Sequence, residues 1–367
     1  MRVLQVTPRF YPMMGGTESH VYETSRRLVS AVDVTVLTTD LSRSLPKADV
    51  VAGVPVVRVP AWPRKRDYYL APGIYHHIRT GSYDLVHCQG VHTAVPIAAM
   101  LAARHQGLPY VVTFHTGGHS SRLRHAARAG QWTLLRPLLR EAQRLVCVAQ
   151  FEAERFGRIL SVPQERFVVI PNGGDLPVPP VDATRAPRTT ILSVGRLERY
   201  KGHHRILAAL PHIRAQLADA RLRVVGSGPY EGPLRRLADR LGIGDAVEFL
   251  SVPPADRQAM ARILSEAHVL ALLSDYEAQP VAVMEALALG VPTVVARTSG
   301  LAELAAQGVT RAVELDADPR TVAAALVREI RDPLRPDHVD LPSWELCAER
   351  LRGLYDGVLR HRMGPAA

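Results

Sequence analysis

The chain is poor in cysteine and has no long apolar run. Cys88, Cys147 and Cys347 are odd in number, far apart and without metal-ligand spacing, so reduced thiols are expected rather than a disulfide framework or a metal centre. No hydrophobic stretch reaches the roughly 20 residues that cross a bilayer. The opening Met1-Arg2-Val3-Leu4-Gln5-Val6 lacks the apolar core of a signal peptide and reads as a first strand. Together these features point to a cytoplasmic protein. Basic-aromatic motifs are also missing, which sets nucleic acid aside. The net charge of +10 still implies anionic company, and phosphorylated substrates or an anionic membrane face fit it better. With 367 residues, 47% of them hydrophobic and 22% charged, the chain can bury two cores of ordinary size.

Short apolar strands alternate with helical stretches, the pattern of a parallel α/β architecture. In the first half, strands are expected at Val3–Val6, Val34–Leu37, Pro55–Val59, Leu85–His87, Tyr110–Phe114, Arg144–Val148 and Val168–Ile170. Helices are expected near Glu18–Ser30, His92–His105, Ala127–Ala142 and Gln150–Leu160. A proline-rich stretch over 176–188 reads as an interdomain linker. The pattern then restarts, with strands near Thr190–Val194, Leu222–Val225, Ala246–Leu250, Val269–Leu272 and Thr293–Val295. Two doubly wound domains, 1–175 and 189–342, follow from this, with an amphipathic helix in 343–367.

Glu277 and Glu285 lie eight positions apart, the first in the loop after the apolar run Val269–Leu273 and the second inside the helix that follows. Pro280 suits that helix's first turn, and Gly290 suits its end. Backbone N–H groups at such a helix mouth can hold a hydroxylated, anionic ligand. Two further loops have a similar setting. Gly15-Gly16 sits at the turn from the first strand to the first helix, as either a phosphate-approach loop or a plain tight turn. Gly195-Arg196 through Lys201-Gly202 opens the second domain. A guanidinium fork and an ammonium there suit a diphosphate leaving group, while the alternative is two solvated surface cations.

Gly226-Ser-Gly-Pro-Tyr-Glu-Gly232 partly mimics a dinucleotide fingerprint, with Glu248 near the position of a ribose-binding acid. That supports a rival class, a nicotinamide-dependent oxidoreductase. His115 ends a strand beside Thr116-Gly-Gly-His119, a place where α/β proteins put site residues; His119 or His87 could serve equally, or all three could be structural. Six arginines against one glutamate in 121–146 mark either an anionic-membrane patch or a solvated helix face. Arg64-Lys65-Arg66 adds a smaller basic cluster.

In this order the motifs resemble glycosyltransferase family 4, retaining enzymes of the GT-B fold. The resemblance spans nearly the whole chain: Gly15-Gly16-Thr17-Glu18, the His115 segment, Ile170-Pro-Asn-Gly-Gly-Asp175, Gly195-Arg-Leu through Lys201-Gly202, Gly226-Ser-Gly-Pro229, the glutamate pair and Thr298-Ser-Gly-Leu-Ala-Glu303. It demotes the oxidoreductase reading. It implies two tandem Rossmann-like doubly wound domains facing a central cleft, an acceptor-binding first domain, a nucleotide-sugar-binding second domain, and a final helix crossing back to the first. It further implies that Arg196 and Lys201 hold the diphosphate with Gly15 and Gly16, and that Gly226 and Ser251 line the nucleotide. Glu285 would bind ribose hydroxyls, Glu277 and His115 would lie at the transferred sugar, and the backbone amides of Ala278, Gln279, Pro280 and Val281 would take part of the sugar and phosphate.

Four positions depart from the family pattern, the least of them Gly174, where a Pro-Asn-Gly-Val-Asp motif would have valine. Ala278 stands for a usual glycine, Gln279 for a large apolar residue and Ser251 for a glycine near the base. The expected co-substrate is a UDP-sugar, with no metal or other cofactor, and the expected acceptor is a small soluble hydroxyl compound. The alternatives are a peripheral-membrane enzyme using a lipid-linked cell-envelope acceptor, through the Arg122–Arg144 region, and a non-catalytic sugar-nucleotide scaffold. The arginine- and alanine-rich composition suggests a high-GC bacterium.

Overall fold

The computed structural model describes residues 1–13, 15–63, 69–115, 122–179, 186–253, 256–336 and 339–363. Arg64-Lys65-Arg66 and His119 therefore lie outside the described residues. The chain divides into two compact units. The first takes in Met1–Thr116, Leu123–Gly173 and Pro342–Ala367, and the second takes in Gly174–Leu341.

The first unit runs β1 (Arg2–Val6), α1 (Gly16–Leu28), β2 (Asp33–Asp40), β3 (Ala48–Val51), β4 (Val54–Pro60), α2 (Pro72–Thr80), β5 (Leu85–Gln89), α3 (Ala94–His105), β6 (Tyr110–Thr113), α4 (Arg122–Glu141), β7 (Arg144–Cys147), α5 (Gln150–Leu160) and β8 (Phe167–Val169). Its sheet order is β3-β4-β2-β1-β5-β6-β7-β8, parallel at every pairing except the β3–β4 hairpin. Helices cover both faces, as continuously buried strands such as β5 and β6 require.

The second unit runs β9 (Thr190–Val194), α6 (His203–Arg214), β10 (Arg221–Val225), α7 (Glu231–Arg240), β11 (Val247–Leu250), α8 (Arg257–Ser265), β12 (Val269–Leu272), α9 (Val281–Ala288), β13 (Thr293–Ala296), α10 (Ser299–Ala306), β14 (Arg311–Val313) and α11 (Pro319–Arg331). Its six strands are all parallel, in the order β11-β10-β9-β12-β13-β14. Counted from β9 this is the dinucleotide-binding order, which reverses between β9 and β12. In open α/β sheets ligands bind outside the carboxyl ends of the strands at such a reversal.

The last helix, α12 (Trp344–Met363), belongs to the first unit. It packs along α1, burying Trp344, Cys347, Leu351, Tyr355 and Val358 in the same cluster as Val3, Val21 and Val34. The proline-rich stretch starts as part of the second unit: Leu176 packs on that unit's core, and the Val178 carbonyl accepts from Gln258 Nε2 at 2.9 Å. No helix among the described residues is long and apolar enough to cross a membrane.

Candidate active site

In the second unit, the loops after β9 and β12 meet at the strand-order reversal. The β9 loop leaves through Gly195, makes a short 3-10 turn over Arg199–Lys201 and enters α6 through Gly202. Gly202 has φ +75°, and a Cβ there would fall 1.8 Å from the Leu273 carbonyl oxygen. Only glycine allows the two loops to come this close. Asp275 N–H donates to the Tyr200 carbonyl at 2.7 Å, and the Arg205 guanidinium donates to the Leu273 carbonyl at 2.9 Å and pairs with Asp275 at 2.7 Å.

This scaffold puts Lys201 against Glu277. The ammonium donates to both carboxylate oxygens, at 2.7 and 2.9 Å. Both side chains are largely buried, and Ser274 Oγ donates to the same carboxylate at 2.7 Å. Burial is the largest influence on the Lys201 pKa and would lower it, but the Glu277 charge, the Tyr200 phenol and the Glu277 hydrogen bond together outweigh it and hold the pKa above the ordinary lysine value. From the other side, Ser299 Oγ accepts the Glu277 N–H at 2.8 Å, and Gly300 N–H donates to the Glu277 carbonyl at 3.0 Å. Arg196 is more open, with its side chain 64% exposed, and it pairs with Glu198 at 3.0 Å.

Glu285 lies on α9 and is nearly fully buried. Its carboxylate is held by Arg257, the first residue of α8. Sequence reasoning missed Arg257, because one arginine at a helix start carries no distinguishing pattern among 45 lysines and arginines. Of the backbone positions expected to face a ligand, Pro280 has no N–H, and the Val281 N–H turns onto the Gln279 carbonyl at 3.0 Å. Ser251 is exposed just past β11.

Gly226 has φ +149°, and a Cβ there would sit 2.0 Å from the Gly195 carbonyl oxygen. Close packing of the β9 and β10 loops therefore requires this glycine. Glu248 is the cross-strand partner of Arg223 and pairs with it at 2.9 Å. The structure thus gives both marks of the oxidoreductase reading a structural use.

In the first unit, the loop after β1 is anchored by Thr39 and Tyr69 hydroxyls donating to the Pro8 carbonyl, at 2.7 and 2.9 Å, and by buried Arg58 donating to the Tyr11 carbonyl at 3.0 Å. The loop delivers Gly15 and Gly16 to the start of α1. A Cβ at Gly16 would meet nothing within 4 Å, so protein packing does not demand glycine there. His115 follows β6 and hydrogen-bonds through Nε2 to Gln89 Oε1 at 2.7 Å. Burial, with the imidazoles of His20, His87 and His92 adding to it, holds His115 well below the ordinary histidine value. His87 differs: it is fully buried, both ring nitrogens are engaged at 2.7 Å, by Tyr355 and Thr113, and burial lowers its pKa to about 3. That makes it structural.

Part of the basic segment has a structural use as well. Arg136 and Arg140 on α4 donate to the Ile159 and Ser161 carbonyls at the end of α5, at 3.0 and 3.1 Å. Leu134, on the same helix, is 79% exposed. Side chains earlier in α4 lie outside the described residues.

Comparison with known proteins agrees with this architecture. Residues 14–177 match the family model Glycosyltransferase Family 4, and residues 181–340 match Glycosyl transferases group 1. Glycogen synthase of Mycobacterium tuberculosis is 30% identical over 90% of this chain and 86% of its own length. The GDP-mannose:cellobiosyl-diphosphopolyprenol alpha-mannosyltransferase of Komagataeibacter xylinus is 28% identical over 98% and 94% of the two chains. Among solved structures, sucrose-phosphate synthase of Thermosynechococcus elongatus superposes with a TM-score of 0.75 at 20% identity, covering 99% of this chain and 97% of that one. Anabaena HepE in complex with UDP and glucose gives 0.74 at 18% identity, covering 99% and 98%. Two Rossmann-like units of this kind define a GT-B glycosyltransferase. The chain belongs to glycosyltransferase family 4.

Proposed function

We propose that the protein moves a hexose from a nucleoside-diphosphate sugar, with a UDP-sugar as the working donor, to a hydroxyl of a small soluble acceptor, retaining anomeric configuration. The observation that carries this reading is the Lys201–Glu277 pair, held by the loops that follow β9 and β12 at the strand-order reversal. An ammonium has three donors, and Glu277 occupies two of them. The third serves a leaving phosphate, together with the exposed Arg196 guanidinium.

In the proposed step the bond from the anomeric carbon to the phosphate oxygen breaks while the acceptor oxygen bonds to that carbon from the same face. The acceptor's proton passes to the departing diphosphate, so no protein nucleophile and no metal is required. Positioning and charge stabilisation supply the acceleration. Glu277 orients the sugar hydroxyls and Glu285, braced by Arg257, takes the ribose. Ala278 and Gln279 border the sugar and Ser251 borders the base, Gly15 and Gly16 approach the diphosphate, and His115 contacts the sugar.

HepE was solved with UDP and with UDP-glucose, which supports the donor class. The Komagataeibacter relative carries GDP-mannose and a lipid-linked acceptor in its name. With the exposed Leu134, that relative favours a second reading, a lipid-linked acceptor at an anionic membrane face. A thermal-shift screen of UDP-, GDP-, dTDP- and ADP-sugars, followed by product analysis with soluble and lipid-linked hydroxyl acceptors, separates these readings. Protection by a UDP-sugar and a product retaining configuration on a soluble acceptor are expected. Protection by GDP-sugars alone would reject the donor, and transfer only to lipid-linked acceptors would reject the acceptor.

A further inference from the structure

Beneath His115 lies a continuous chain of buried polar side chains that donor binding and the reaction do not by themselves require. His115 Nε2 meets Gln89 Oε1 at 2.7 Å, Gln89 Nε2 donates to Gln5 Oε1 at 2.5 Å, and Gln5 Nε2 donates to the Tyr355 hydroxyl at 3.1 Å. The hydroxyl in turn meets His87 Nδ1 at 2.7 Å, and His87 Nε2 meets Thr113 Oγ1 at 2.7 Å. Gln5, His87, Gln89, Thr113 and Tyr355 are all fully buried. They come from β1, β5, β6 and the final helix.

A carboxamide has one accepting and one donating end, so such a chain has a polarity, and each member's orientation constrains the next. Gln89 Nε2 also lies 3.4 Å from both ring nitrogens of His87. In the structure the amide's N–H end thus faces a ring that, when neutral, has one accepting nitrogen. The accepting end of Gln89 then faces His115, whose Nε2 must carry the proton. We propose that Gln89, Gln5 and Tyr355 are positioning residues that fix His115 as its Nε2–H tautomer, leaving Nδ1 as the accepting nitrogen for a sugar hydroxyl. The final helix thereby acts on His115 through Gln5 and Gln89. Reversing one amide alone would set oxygen against oxygen between fully buried side chains, at a cost comparable to that of an unsatisfied buried polar group.

The inference rests on reading His115 as a sugar contact, and the test separates the two claims. In 15N-histidine-labelled protein, His115 signals are assigned by their loss in His115→Gln, and the two ring-nitrogen shifts report the tautomer. The native protein is expected to show Nε2–H alone. In Gln89→Met the single tautomer should be lost, with kcat falling about tenfold, as expected for one misplaced hydrogen bond, and donor KM little changed. Tyr355→Phe reaches His115 only through two amides and should act in the same direction. An Nδ1–H tautomer in the native protein, or an unchanged His115 in both Gln89→Met and Tyr355→Phe, overturns the inference. Native turnover in His115→Ala instead overturns the sugar-contact reading, while the nitrogen shifts still decide whether the chain sets the tautomer.

Discussion

Lys201 and Glu277 stand 76 positions apart in sequence and 2.7 Å apart in space. Removing either one alone leaves the other's charge in a largely buried setting, at a cost below the roughly 3–5 kcal/mol of a fully buried broken pair. A single substitution therefore mixes stability with catalysis, and Lys201→Met combined with Glu277→Gln separates them. The double variant should melt close to the native protein yet lose about 100-fold or more in turnover, the scale of one lost charge-stabilising donor. Gly16→Ala probes the other unit. Because a Cβ there meets no protein atom within 4 Å, unfolding midpoints should not move while donor affinity drops, and calorimetry with the donor checks both. The residue types of the site were legible from spacing and loop position. The Lys201–Glu277 contact was not, since pairing across 76 residues depends on strand order. Arg257 was not legible either, because its role exists only once α8 and α9 are side by side.

At the level of elements, the β9 and β12 loops depend on one backbone position. Gly202 combines φ +75° with a close approach to the Leu273 carbonyl, so Gly202→Ala must both strain the backbone and push the loops apart. A destabilisation of more than about 1 kcal/mol is expected from the conformation alone, with turnover nearly abolished as Lys201 moves off Glu277; urea unfolding and kinetics on the same sample test this. The elements around the site were readable beforehand, because β12 is a four-residue apolar run and α9 starts after a proline. Besides helices α7, α8, α10 and α11 of the second unit, three short or mixed elements were not marked. β3 is a largely exposed antiparallel edge strand, β14 has three residues, and α2 opens with Pro72-Gly73, which reads as a turn. None of these three supplies a residue proposed for the site.

For the whole molecule, both units enclose neutral histidines. Burial lowers His20 to about 4, His87 to about 3 and His203 to about 4, from an ordinary 6.5. Below pH 6.5 the unfolded chain takes up protons that the folded chain does not, so stability falls as pH falls. The slope is about 1.4 kcal/mol per pH unit for each such histidine until its folded pKa is reached. Lys201 works in the opposite sense: its raised pKa gives stability that is complete at neutral pH and is lost only as pH rises above the ordinary lysine range. The melting temperature should therefore be flat from pH 7 to 8 and drop steeply toward pH 4.5. A curve still flat at pH 4.5 would mean that these rings take up protons in the folded state. The doubly wound architecture was legible in the alternation of strands and helices. The return of α12 to the first unit followed only from the family resemblance, because an amphipathic pattern does not name its partner.

The central claim is that the β9 and β12 loops of the second unit form the donor's diphosphate-and-sugar site. The most direct measurement is transfer from the donor found by thermal shift, comparing the native protein with the Lys201→Met, Glu277→Gln double variant at matched folded fraction. A loss of about 100-fold or more in turnover, with the melting temperature nearly unchanged, is expected. Turnover within a few-fold of native in a folded double variant would contradict it and move the reacting centre elsewhere.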